Sequence, residues 1–143
     1  MANDLSARLA AVLNALPLRD GLRVLEVGCG PGALARAIAA RIGDGHVLAI
    51  DRSVKAIDQA RSASQIEIAS GRLAFRHVAI ENFELQPHEA LYDVAVAIRV
   101  GALDGRHPTL ENRSLRRIAE ALTPRGQLYI DGGDPLRTVR LRD

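Results

Sequence analysis

The chain has 143 residues, of which 48% are apolar and 25% charged, with a formal net charge of +2. That balance describes one globular domain, residues 1–143, and excludes a mainly disordered chain, while the charge is too small to imply a polyanionic partner. Cys29, the single cysteine, excludes an internal disulfide; the apolar runs are too short to cross a bilayer; and Met1-Ala2-Asn3-Asp4 puts no basic region before an apolar stretch, so a cytoplasmic protein without membrane contact is expected.

Asp4 is placed to cap a first helix, in which Leu5, Leu9, Val12, Leu13 and Leu16 recur at helical spacing and which Pro17 closes. Residues 1–19 are therefore read as an N-terminal helix. Leu22 to Val27 reads as a first strand. The turn Gly28-Cys29-Gly30-Pro31-Gly32 follows, and then a helix from Pro31 to Ile42. His46 to Asp51 is a second strand that ends in an acid. Ser53 caps the next helix, with Ile57, Arg61 and Ile68 along one side and Gly71 at its end. Leu73 to Val78 is less apolar, as suits a third strand near a sheet edge. Tyr92 to Ile98 is nearly continuous in small apolar residues, as expected of a strand covered on both faces. Gly101 to Pro108 is a loop. Thr109 caps a helix with Leu110, Ile118 and Leu122 inward and Arg113, Arg116 and Arg117 largely outward. Pro124-Arg125-Gly126 turns into a fifth strand, Gln127 to Asp131, and residues 135–143 form an Arg-bearing tail.

Strands alternating with helices predict an α/β fold: a doubly wound, mainly parallel, Rossmann-like sheet of about five strands in the order 3-2-1-4-5, with helices on both faces. Ligands bind such sheets at the carboxyl ends of the strands, where the winding reverses. That rule gathers the glycine turn, Asp51 and the segment Ile98-Arg99-Val100, flanked by Ala79 to Asn82. Asp51 follows Gly28 by 23 positions, a separation at which an acid accepts from both hydroxyls of a ribose.

Two ligands fit these residues. Gly28, Gly30 and Ala33 satisfy the dinucleotide pattern G-x-G-x-x-G/A. Glu26, Gly28, Gly30 and Gly32 instead give acid-x-G-x-G-x-G. On that second pattern the sequence resembles the class I S-adenosylmethionine-dependent methyltransferases. Val24 to Gly32 looks like their first motif, Ala49-Ile50-Asp51 like the second, and Tyr92 to Ile98 like the fourth-strand motif. Leu115 to Gly126 looks like the helix and turn before their fifth strand, so the likeness runs from about residue 20 to 134. The resemblance implies S-adenosylmethionine as cofactor and S-adenosylhomocysteine as product. It implies that Gly28, Cys29, Gly30 and Gly32 line the methionine part, with Glu26 facing the same end. Asp51 would hold the ribose, Arg52 would lie against the adenine, Ile80 and Glu81 at its edge, and Ile98 and Arg99 beneath the methionine moiety. Two departures stand out: Ala79 occupies the place of an acid that reads the adenine amino group in many members, and the family's sixth and seventh strands have no counterpart.

The implied reaction is in-line methyl transfer to an acceptor. The residues do not identify that acceptor; with two Tyr, two Phe and no Trp, a small molecule is expected ahead of a nucleic acid. Asp104 and His107 are the candidates for a general base. His46, His77 and His88 lack ligand spacing, so no metal is expected. An inactive or partner-dependent S-adenosylmethionine-binding module is the alternative, and a small nicotinamide-dinucleotide domain a third. The fifth strand lies at a sheet edge and is expected to be covered, by a homodimer partner or, as the less favoured case, by the tail folding back as a strand.

Overall fold

A computed structural model describes residues 5–141. Strands β1 (Arg23–Val27), β2 (His46–Asp51), β3 (Leu73–His77), β4 (Tyr92–Ala97), β5 (Leu122–Asp131) and β6 (Leu136–Val139) form one sheet in the order β3-β2-β1-β4-β5-β6. The first five run parallel, and β6 pairs antiparallel with β5. The expected winding is therefore present with one strand added.

Helices α1 (Ala7–Ala15), α2 (Ala33–Ala39) and α3 (Val54–Ala63) cover one face. Val12, Leu34, Ile38 and Ile57 pack there on Val24, Val47 and Val94. The other face carries α5 (Pro108–Ala121) and a single 3-10 turn, Ile80–Asn82, where Ile118, Phe83 and Ile80 pack on Leu25, Leu48 and Leu128. β1 and β4 are central and covered on both sides, and for that reason Val24, Leu25, Val27 and Val94 to Ala97 are all Val, Leu or Ala.

Several boundaries differ from the sequence reading. Asp4 lies outside the described residues. Ser6 caps α1, its hydroxyl accepting from the Leu9 amide at 3.1 Å. α2 begins two residues after Pro31 because Gly32 adopts φ +89°, outside the helical region. The third helical segment breaks at Ser64 into α3 and α4 (Gln65–Ala69). Ser53 does cap α3, accepting from Ala56 at 3.1 Å. Thr109 does not cap α5: Pro108 occupies its first turn, where a missing N–H costs nothing, and His107 precedes it with no capping bond from its side chain. β5 starts earlier than expected, at Leu122, and its pairing with β4 slips between Tyr92 and Val94 to absorb Pro124-Arg125-Gly126.

The largest difference is the tail. Leu128 pairs with Val139 and Asp131 with Leu136, so the chain's own residues occupy the β5 edge. The homodimer expected through that edge has no free β5 ladder over these residues. Gly133 makes the hairpin tight enough, since a Cβ there would stand 2.1 Å from the Leu136 carbonyl oxygen. No helix among the described residues is long and apolar enough to cross a membrane.

Candidate functional site

The carboxyl ends of β1, β2 and β4 meet at the turn after β1. Gly28, Gly30 and Gly32 have φ of +74°, +53° and +89°, a region that side-chain-bearing residues rarely adopt. The amides of Gly28 and Cys29 both donate to the Ile50 carbonyl, at 2.8 and 3.0 Å. The Gly30 amide donates to Asp51 Oδ2 at 2.9 Å, and the Gly32 amide to the Cys29 carbonyl at 3.0 Å. All four donors of the turn are thus committed inside the protein. The turn offers close approach, but it does not offer the cluster of free N–H groups that holds a pyrophosphate.

The cleft has two lobes. One, of about 320 Å³, is lined by Ile50, Asp51, Arg52, Ile80, Glu81 and, from the loop after β4, Val100, Gly101, Ala102, Arg106 and His107. The other, of about 530 Å³, is lined by Glu26, Cys29, Gly30, Ile98 and residues Ser6, Arg8 and Leu9 at the start of α1. Gly28 and Arg99 line both lobes and so mark their junction.

Glu26 is 4% exposed, and its Oε1 has no hydrogen-bond partner. Burial, reinforced by the nearby Asp51 charge and only partly offset by Arg36, pushes its carboxyl up to about 8. A buried carboxyl with an unmet oxygen, opening on a lobe, is suited to a cationic ligand group. Asp51 accepts from Ser53 N through Oδ1 at 2.8 Å and from Gly30 N through Oδ2, which fixes the carboxylate plane and leaves each oxygen a further lone pair. Burial, with Glu26 and Asp51 adding to it, raises the Cys29 thiol well above its ordinary range, so Cys29 serves as a small neutral wall.

Not every expected residue reaches the cleft. Gly32 lines neither lobe: it is buried, and a Cβ on it would meet Arg36, Phe75 and Ala60 at 3.0 to 3.2 Å. Its glycine is required for packing α2 against α3 and β3. Asp104 also lines neither lobe. Arg106 holds its carboxylate through Nε at 2.9 Å and Nη2 at 2.8 Å, which keeps it below the usual carboxylate range. His107 does line the first lobe, its ring lying against Gly101.

Two contributors were not read from the sequence. Asp131 ends β5 and accepts from the Arg99 amide at 3.2 Å and from Arg8 Nη2 at 2.8 Å, tying the segment after β4 to the helix over the second lobe. An acid at a strand's carboxyl end was the available signal, the same one that marked Asp51. Arg113 on α5 donates to the Glu81 carbonyl at 2.7 Å and to Asn82 Oδ1 at 3.2 Å, and so holds the 3-10 turn that walls the first lobe.

A sequence profile of the family described as "Methyltransferase domain" matches residues 24–126. A protein of Streptomyces coelicolor named an uncharacterized RNA methyltransferase is 30% identical over 149 aligned positions, which cover 94% of this chain and 31% of that protein. A ubiquinone biosynthesis O-methyltransferase of Leptothrix cholodnii is 35% identical over 57% of this chain and 33% of its own length. The chain thus spans about a third of the length of these curated relatives. Among solved structures, a SAM-dependent methyltransferase of Thiobacillus denitrificans in complex with S-adenosyl-L-homocysteine superposes with a TM-score of 0.68 at 22% identity, over 90% of this chain and 49% of that one.

Proposed function

Given that the chain belongs to the methyltransferase domain family, we propose that its cleft binds S-adenosylmethionine and delivers the methyl group to a small-molecule acceptor. One observation carries this choice over a dinucleotide: the turn's amides are all committed, while a buried carboxyl with an unpartnered oxygen opens on the adjoining lobe. A pyrophosphate would meet Glu26 and Asp51 with no amide of the turn free to offset them. A ligand bearing an ammonium and a sulfonium gains from the same two acids.

In this reading Asp51 receives the ribose hydroxyls on its remaining lone pairs. Arg52, Ile80 and Glu81 enclose the adenine, and Glu26, Cys29, Gly30 and Ile98 enclose the methionine part. S-adenosylmethionine supplies a methyl group already activated on sulfur, whose transfer leaves a neutral thioether. The protein's work is then to align the acceptor, exclude water and accept a proton where the nucleophile carries one. His107 lines the cleft and is free of an acid partner among the described residues, whereas Asp104 is held by Arg106. His107 is the base in this proposal.

The surface favours a small acceptor over RNA. Arg113 and Arg117 of α5, which would head a basic face, are occupied by the 3-10 turn and by Glu84, the latter at 3.0 Å. The alternative of a module that binds cofactor but needs further chain or a partner for turnover draws on the span of about a third of its relatives.

The test is turnover. The protein is incubated with S-adenosylmethionine and either pooled phenols, carboxylic acids, amines and thiols or structured RNA transcripts, with S-adenosylhomocysteine release and methylated product read by mass spectrometry. Product from the small-molecule pools alone is expected. Product from RNA alone overturns the acceptor assignment, and cofactor binding with no product in either pool supports the module.

A further inference from the structure

We infer that the acceptor of this site carries a negatively charged group, a carboxylate or a phosphate, which seats on Arg99. The inference rests on the cofactor reading given above and adds the class of the second substrate.

Arg99 lines both lobes and so stands at their junction. Its backbone is fixed there at φ +57°, in the left-handed region that a residue with a side chain enters at a cost. Two contacts hold it. Asp131 Oδ1 accepts the Arg99 amide at 3.2 Å, and Arg106 Nη2 donates to the Arg99 carbonyl at 2.9 Å. The chain thus spends conformational strain and two long-range contacts on the placing of one exposed arginine.

Its neighbours are neutralised and it is not. Arg8 is paired with Asp131 and Arg106 with Asp104, both at 2.8 Å. Among the described residues the Arg99 guanidinium has no carboxylate or carbonyl partner. The acids that line the lobes, Glu26, Asp51 and Glu81, are those the cofactor reading gives to S-adenosylmethionine. A bound S-adenosylmethionine brings a sulfonium to the same place, and two cations facing each other there repel. An acceptor with an anionic group offsets both charges and gives the planar guanidinium fork the bidentate partner it fits. A neutral acceptor leaves that repulsion standing.

The experiment follows backbone amide shifts of the S-adenosylhomocysteine complex during titration with acetate, inorganic phosphate and, as the neutral control, acetamide. Saturable shifts at Ile98, Arg99 and Val100 are expected for acetate or phosphate and not for acetamide; whichever anion binds tighter names the charged group. In Arg99→Gln held saturated with S-adenosylhomocysteine, that response should weaken about tenfold or more. Equal responses to acetate and acetamide, or an anion response kept in Arg99→Gln, overturn the inference. So does a tenfold loss of S-adenosylhomocysteine in that variant, which assigns Arg99 to the cofactor's own carboxylate. Failure of the wild-type protein to bind S-adenosylhomocysteine is a separate result and refutes the cofactor reading instead.

Discussion

The amide of Gly30 donates to the Asp51 carboxylate at 2.9 Å, joining the turn after β1 to the end of β2. Asp51 therefore does two things: it shapes the turn and it presents lone pairs to the cleft. Asp51→Ala should lose both, weakening S-adenosylhomocysteine binding by about 2–4 kcal/mol, roughly 30- to 1000-fold, in calorimetry. Asp51→Asn is not a silent control, because its NH₂ must face one of the two backbone donors at Gly30 and Ser53. The preference of the wild type for S-adenosylhomocysteine over its 2′-deoxy analogue should disappear in Asp51→Ala; an unchanged preference gives the sugar to another residue.

Gly30→Val should abolish cofactor binding with the fold retained. The position has φ +53° and open space where a Cβ would project, so the fold tolerates the atoms while the ligand does not. The backbone strain costs on the order of 1–2 kcal/mol, visible as a modest fall in Tm. Near wild-type affinity in this variant would remove the turn from the binding site.

Glu26 sets a pH dependence. Its carboxyl is raised to about 8 in the folded protein, from 4.5. The folded state therefore holds a proton that the unfolded chain releases, so this group's contribution to stability is full below about 4.5 and is lost as pH rises through about 8. Glu26→Gln should flatten that slope and raise Tm at alkaline pH. A cationic ligand lowers the carboxyl's pKa, so binding near neutrality should release a proton and tighten toward pH 8. Calorimetry in buffers of different ionisation enthalpy reads that proton directly, and buffer-independent heat in the wild type counts against Glu26 as the cationic group's partner.

Arg113 touches neither lobe, yet it holds the Glu81 carbonyl at 2.7 Å. Arg113→Ala should weaken S-adenosylhomocysteine binding by about three- to tenfold, with less than about 1 kcal/mol lost in denaturant unfolding. Arg113→Lys keeps one donor and should fall between. Equal affinity in all three proteins would make the contact a matter of fold alone.

The order of the five parallel strands, the glycine turn and Asp51 were legible in the sequence because each rests on a local rule: apolar runs, positive-φ residues, an acid at a strand end. What was not legible depends mostly on contacts between distant residues and, at Asp104, on a loop conformation that spacing does not set. Gly32 fits the turn pattern, yet it is needed for packing against Phe75 and Ala60, which no spacing within the motif reveals. Arg113 and Arg117 read as a solvated face because their partners, Glu81, Asn82 and Glu84, lie about thirty residues away in sequence. Asp104 looked available as a base until Arg106, two residues on, was found to hold it. The tail alternates polar and apolar residues only fairly well, so its pairing as β6 follows from the unpaired edge of β5 more than from its own pattern.

That pairing has its own test. A chain ending at Pro135 lacks the partner of Leu128 to Asp131 and should self-associate in sedimentation. In the full chain the amides of β5 that face β6 should be protected from hydrogen exchange. Loop-like exchange there would contradict the sixth strand.

The central claim is that the turn after β1, with its donors committed inward and a buried acid beside it, accepts a sulfonium-bearing nucleoside and rejects a pyrophosphate. Parallel calorimetric titrations of the wild-type protein with S-adenosylmethionine, S-adenosylhomocysteine and NAD(H) test it most directly. One-to-one binding of the first two, with no saturable heat from NAD(H), is the expected result; saturable binding of NAD(H) alone would contradict the account.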